Sequence, residues 1–223
     1  WHGDVERQWW NQLRAGVDAG QTHDISGQLL VRYVEPMFSF SGPLQSFVEI
    51  GAGPRTELWE GQTFGMHAAF LFAQVRPRSG LSITLRARVG EQIDYANARL
   101  ADQVRLQPQI DWNVNRHFLV RLRHTADRLT SQEGHEVFDA KLTDLRLTWQ
   151  FNLRSFLRLT LQRQDVDRNV ALYRLQSTAP TTSTLASQLL YSYKVNPQTV
   201  FFAGYSDNHI EHDLTPNLER TDR

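Results

Sequence analysis

From Leu100 to His124 the chain alternates apolar and polar residues. Leu100, Val104, Leu106, Pro108, Ile110, Trp112 and Val114 occupy even positions, and Ala101, Gln103, Arg105, Gln107, Gln109, Asp111 and Asn113 lie between them. After a tight turn at Asn115-Arg116, Phe118, Val120 and Leu122 continue the apolar series opposite Arg121 and Arg123. Period-two alternation places the apolar side chains on one face of a sheet, and Asn tolerates the positive φ of a short hairpin turn. One arm of this hairpin is far longer than the usual ~5–6-residue strand.

The pattern recurs. Turn-forming Gly, Pro and Asn fall at Ser41-Gly42-Pro43, Pro77–Gly80, Asn115-Arg116, Asn152–Arg154 and Asn196–Gln198. Longer polar connections are expected between them, at Asp18–Ser26, Gly53–Gln62, Asp127–His135, Arg163–Thr184 and from Ser206 to the end, with a tighter link around Tyr95–Asn97. The strands predicted before the opening hairpin are Glu6–Ala19, Gln28–Phe40, Leu44–Leu58, Thr63–Arg76 and Leu81–Asp94. Those after it are Glu136–Phe151, Ser155–Val166, Thr184–Val195 and Thr199–Ser206.

With the hairpin itself this makes about 11 strands, an odd number where single-chain outer-membrane barrels use even ones. A further strand is therefore expected beyond Arg223. The fold class expected is all-β, an antiparallel up-and-down transmembrane β-barrel of outer-membrane type with about 12 to 16 strands when complete. Residues 1–223 read as a single β-barrel domain, cut at both ends from something longer. Pro36 and Pro108 fall inside strands, where each removes a ladder donor, so a bulge or local break is expected at both.

Aromatic residues gather beside the short turns. Trp112, Phe118, Trp149, Phe151, Phe156, Tyr191, Tyr193 and Phe201 form the predicted girdle, with Phe38, Phe40 and Phe202 near it. Such rings favour the membrane–water boundary. Ringed ends of a soluble barrel or sandwich are the alternative.

Composition narrows the classes. Formal net charge is zero, so nothing points to nucleic acid. There is no cysteine, which excludes disulfides. The longest apolar run, Ala68–Ala73, is far short of the ~18 residues of a membrane helix. All basic residues except Lys141 and Lys194 are arginines, and arginine is the better bidentate partner of carboxylates.

Candidate chemistry lies on the polar phase. Arg86, Arg88, Arg105, Asp111, Arg121, Arg123, Arg146 and Arg158 are the predicted lumen lining, in company with Asp94 and Asp144. They read either as a charged pore wall that selects solutes or as a salt-bridged plug. Asp207–Asp213 gathers metal-ligand residue types, of which His209, Glu211, His212 and Asp213 are the weak metal candidates. His124 with Asp127, or His209 with Asp207, is the nominal base pair of a hydrolase, each without a third member. No nucleophile elbow, phosphate loop or cysteine nucleophile is present. No catalytic residue and no cofactor is expected.

Three stretches, GEQIDYANARL at Gly90–Leu100, LRLTWQFNLRSFLR at Leu145–Arg158 and SQLLYSYKVNPQTVFFAGYSD at Ser187–Asp207, carry a family resemblance. From about Trp59 onward the chain resembles the barrel domain of unknown function that follows a family-nine-type carbohydrate-binding module in bacterial outer-membrane proteins. Members are often labelled membrane-associated hydrolases. The resemblance implies location in the bacterial outer membrane, contact with the lipid bilayer, and a link to oligosaccharide. The expected function is a pore or transport barrel linked to carbohydrate binding or uptake. The alternatives are a plugged barrel anchoring a carbohydrate-binding module, or a membrane-associated hydrolase.

Overall fold

A computed structural model describes residues 10–174, 179–212 and 215–220, with 211, 212 and 215–220 as backbone alone. Twelve strands form one sheet in chain order, every neighbouring pair antiparallel. They are β1 Gln12–His23, β2 Leu29–Gly42, β3 Ser46–Trp59, β4 Gln62–Arg78, β5 Leu81–Asp94 and β6 Arg99–Asn113. There follow β7 Phe118–Ser131, β8 Glu136–Asn152, β9 Ser155–Arg168, β10 Thr181–Asn196, β11 Thr199–His212 and β12 Thr215–Arg220. One 3₁₀ turn, Val170–Leu172, is the sole helical element among the described residues. The architecture is all-β and up-and-down. Among the described residues β1 pairs with β2 alone and β12 with β11 alone, so the sheet is open.

The turn chemistry explains the connectivity. Leu44 and Gln45 at the β2–β3 turn have φ of 55° and 51°, and Gly80 before β5 has φ of 79°. The positive-φ pair Leu44-Gln45 matches the twist of a two-residue hairpin. Asn115, Asn152 and Asn196 accept backbone N–H bonds from residues two or three positions ahead, fixing their turns without a glycine.

The connections at the opposite end differ from the expectation. β3 runs to Trp59 and β4 begins at Gln62, each within one residue of the predicted Leu58 and Thr63, so the polar link also expected over Gly53–Gln62 is reduced to Glu60-Gly61. β7 likewise continues to Ser131 and β11 to His212, and β12 occupies part of the stretch from Ser206 onward expected to be a connection. Past the apolar stretch these strands are polar on both faces. Alternation vanishes there although hydrogen bonding continues, so the segments resemble loops in sequence. Only the β9–β10 connection is long among the described residues. The first strand also shifts: β1 begins at Gln12, and residues 6–9 of the predicted Glu6–Ala19 lie outside the described residues.

The prolines produce breaks, not bulges. Between Tyr33↔Arg55 and Met37↔Gly51 the β2–β3 ladder is interrupted around Pro36, yet register is identical on both sides. Between Leu106↔Ala126 and Gln109↔Arg123 the same happens around Pro108. Each proline keeps its pairing on the other side, Val17↔Pro36 and Leu85↔Pro108, because only one edge of the strand needs the missing N–H. At the first break the backbones approach closely: a Cβ on Gly53 would sit 1.9 Å from the Val34 carbonyl oxygen.

Register sorts the side chains into two faces, since directly paired residues share a side. One face carries Leu13, Phe38, Ile50, Leu71, Leu85, Pro108, Leu122, Leu145, Leu159, Leu189 and Tyr205. The other carries Ser39, Glu49, Phe72, Arg86, Gln109, Arg123, Asp144, Gln162 and Gln188. We refer to them as the apolar and the polar face.

Their burial is inverted relative to a water-soluble sheet. On the apolar face Val17, Ile50, Val89, Trp149, Phe201 and Tyr205 are each more than half exposed. On the polar face Ser39, Thr84, Gln103, Asp127 and Ser192 are buried. A water-facing sheet buries its apolar side chains and solvates its charged ones.

Buried apolar residues are few and lie at the end opposite the tight turns after β2, β4, β6, β8 and β10. Phe64 and Met66 of β4 meet Ile93 and Leu100. Ala101, Leu129 and Val137 are covered by Phe138, Leu172 and Tyr173. The first cluster forms where β5 bends at Gly90, whose φ of 137° is reserved for glycine. Past that bend the β4–β5 ladder ends, and the His67 N–H instead donates to the Glu91 carboxylate at 2.8 Å.

Candidate functional site

All eight predicted lining residues fall on the polar face. Arg88↔Arg105 and Arg105↔Asp127 form one row across β5–β7, Gln109↔Arg123↔Asp144 a second, and Asp111↔Arg121↔Arg146↔Thr160 a third. Arg86 and Arg158 sit beside Gln107 and Thr148. The arginines therefore occupy five adjacent strands, β5 to β9.

Their partners are uneven. Arg105 clasps Asp127 through two nitrogens, and Gln103 donates to the same carboxylate at 2.9 Å. Arg121 pairs with Asp111. Arg123 donates only to Gln109, at 2.9 Å. The Arg86 guanidinium lies 5.1 Å from the centre of the Phe72 ring, and that of Arg158 lies 5.0 Å from that of Phe156. The Nε atoms of Arg146 and Arg158 are buried without a hydrogen-bond partner. Asp94, also predicted on this phase, is nearly buried and receives bonds from Asn97 at 2.6 Å and Arg99 at 3.1 Å.

The polar face also holds groups that sequence reasoning did not single out. Register places Asp18, Glu35, Glu49 and Glu57 there, on β1–β3, with Arg14 and Arg55. Arg55 donates to Glu57 at 2.8 Å, and Glu57 accepts from the Tyr95 hydroxyl at 2.9 Å. Burial, reinforced by the Glu57 carboxylate, raises the Tyr95 phenol above its ordinary range. A pocket of about 200 Å³ is lined by Tyr33, Glu35, Arg55 and Arg88, where the two sets of charges meet. The signal for this acidic set was the same two-residue spacing. It is hidden because Phe70 and Phe72 share the polar face while Gly51 and Gly53 leave β3 without alternation.

The β9–β10 connection reaches this face. Leu172 and Tyr173 pack onto Ala101 and Leu129. The Arg174 N–H donates to Asn97 Oδ1 at 2.9 Å, Arg99 donates to the Leu172 carbonyl at 3.4 Å, and the Arg174 side chain reaches Glu60 at 3.3 Å. A strap from β9 thus crosses to the ends of β3, β5 and β6.

Of the predicted girdle, Trp112, Phe118, Trp149, Phe151, Tyr191, Tyr193 and Phe201 lie on the apolar face beside the tight turns, with Phe118 and Trp149 5.7 Å apart between ring centres. Phe156 does not. It pairs with Gln150 and Ser192 on the polar face, as Phe202 does with Ser192. At the other end the apolar face turns charged: Arg128 and Lys141 flank Asp139 at 2.6 and 3.4 Å, and Arg163 pairs with Asp165 at 2.8 Å.

The hydrolase pairs do not assemble. His124 sits on the apolar face against the Thr143 hydroxyl at 2.9 Å, whereas Asp127 is on the polar face with Arg105, since a spacing of three residues reverses the side in a strand. His209 lies 3.9 Å from Asp207. The side chains of Glu211 and His212, and all of Asp213, lie outside the described residues. Among the described residues no group of three His, Asp or Glu side chains could hold a metal. Comparison of the chain with protein-family models, curated proteins and solved structures returns no match.

Proposed function

We propose that the sheet closes into a transmembrane β-barrel of the bacterial outer membrane, apolar face toward lipid, and that its polar face lines a solute pore linked to carbohydrate uptake. The inverted burial carries this reading: large apolar side chains are exposed on one face while serines, glutamine and aspartate are buried on the other. The dimensions agree. Val104 to Trp112 on β6 spans roughly 26 Å at ~3.3 Å per residue. A tilt of about 40° makes that a band ~20 Å tall, against ~25 Å for known barrels. Aromatic side chains bound the band at the tight turns and ion pairs bound it at the other end. A groove of about 430 Å³ lined by Leu13, Phe38, Phe40, Val48 and Ile50 has the chemistry of an acyl-chain contact. The carbohydrate link rests on the sequence resemblance alone.

Single-channel recording in planar bilayers tests the proposal. The full chain should insert and conduct, and integrate into vesicles resistant to alkaline extraction. A closed barrel that no solute opens would overturn it. One observation favours the second reading, a plugged barrel anchoring a binding module. The 170–174 strap covers part of the polar face at one end.

A further inference from the structure

The charges on the polar face are sorted by strand. From β5 to β9 the seven arginines described above share the face with Asp94, Asp111, Asp127 and Asp144, of which Asp94 is taken by Arg99, whereas on β1–β3 four carboxylates face Arg14 and Arg55. A plug of mutually neutralising groups calls for each arginine to meet a carboxylate. Among the described residues Arg86, Arg88, Arg123, Arg146 and Arg158 form no ion pair.

Two like-charged pairs stand directly opposite each other across strands, Arg88↔Arg105 and Arg121↔Arg146. Such pairs are destabilising by themselves. In each pair one member is already held by a carboxylate, Arg105 by Asp127 and Arg121 by Asp111, and the other, Arg88 or Arg146, is left for an anion, since the guanidinium fork fits a carboxylate or phosphate with two parallel bonds. The groups also form a stepped track. Arg158 and Arg121 lie three residues above the tight turns, Arg123 and Arg86 five, and Arg88 seven.

We propose that this wall selects anionic solutes carrying a carboxylate or phosphate, of sugar-acid or sugar-phosphate size, and passes them between successive arginines. The acidic wall of β1–β3 accepts hydrogen bonds from the solute's hydroxyls and repels its charged end toward the arginines. In an up-and-down barrel of about twelve strands, β1–β3 face β7–β9, so a field runs across the lumen from Arg146 and Arg158 toward Asp18 and Glu49. The inference rests on the pore reading above and adds the sign and class of the cargo.

Reversal potentials of the full chain in a potassium chloride gradient test it, together with block of the current by glucuronate, glucose 6-phosphate and glucose. The wild-type channel should prefer chloride, and at least one anionic sugar should block at concentrations roughly tenfold below glucose. Block by glucuronate alone assigns a carboxylate cargo, and block by the phosphate alone a phosphorylated one. Arg121→Gln with Arg146→Gln and Arg158→Gln should abolish the preference, while Arg128→Gln on the apolar face should leave it intact. If the triple variant does not fold, as read from heat-modifiable migration, Arg86→Gln with Arg88→Gln replaces it. A conducting channel without anion preference overturns this inference and leaves the pore standing. Absence of conductance overturns both.

Discussion

Leu85→Arg separates a lipid-facing wall from a water-facing one. Leu85 pairs with Ala73 and Pro108 on the apolar face and sits midway between Leu81 and Val89, the ends of the apolar series on β5. Each end is about 13 Å away along the strand at ~3.3 Å per residue, or roughly 10 Å in depth once a ~40° tilt is applied. That places the side chain near the midplane, where arginine on a lipid face costs ~2–4 kcal/mol. On a water-facing sheet the same exchange stays within about 0.5 kcal/mol. Gln162→Arg is the matched control. Gln162 is exposed on the polar face opposite Asp144, so the new guanidinium gains a partner. Thr84 would be a poor control, because it is only 5% exposed and accepts a bond from Gln74. Urea titration in lipid vesicles, followed by tryptophan fluorescence, gives both free energies. Equal shifts for the two variants, or a shift under about 0.5 kcal/mol for Leu85→Arg, would refute the face assignment.

Gly53→Ala should destabilise the sheet by ~2–4 kcal/mol, because its Cβ would meet the Val34 carbonyl oxygen at 1.9 Å, whereas Gly65→Ala meets nothing within 4 Å and should stabilise by about 0.5 kcal/mol; the same titration checks both. Asn97→Ala removes a buried donor to Asp94 and the acceptor that holds the Arg174 N–H, so it should cost ~1–3 kcal/mol and raise single-channel conductance by loosening the strap. The β1–β2 loop should be acid-sensitive. Bonds from the Ser26 hydroxyl and the Gln28 amide, against an opposing effect of burial and with smaller help from the Ser26 amide, hold the Asp24 carboxyl below the usual range. A depressed folded pKa adds stability that is full above the ordinary carboxylate value of about 3.9 and is lost as pH falls through the folded value. Exchange of the Ser26 and Gln28 amides should accelerate only in that acid window, and Asp24→Asn should remove the pH dependence.

The strands that cross the apolar band were legible in sequence, and those parts that leave it were not. β5 was readable to the residue, Leu81–Asp94, because polarity alternates from Leu81 to Gly90 without a break. The outer thirds of β7 and β11 carry polar groups on both sides, so only the cross-strand bonds reveal them. The prolines kept register because a strand has two edges and each ring spoils one. For the site, the arginine track was legible by parity alone. The facing carboxylates were not, since identifying them requires the β1–β3 register. The failure of His124 with Asp127 was available from their odd spacing.

Among the described residues every strand pairs only with its neighbours in sequence, and this has a mechanical consequence. Each interface is a local zipper between consecutive segments, so cohesion is distributed as a chain of nearest-neighbour terms, as in repeat proteins. Pulled from one end, such a sheet yields one hairpin at a time. A hairpin such as β5–β6, Leu81–Asn113, releases roughly 110 Å of contour at ~3.4 Å per residue. The same modularity lets the wall gain or lose a hairpin with only two interfaces remade, so its circumference is free to change while the arginine track stays intact.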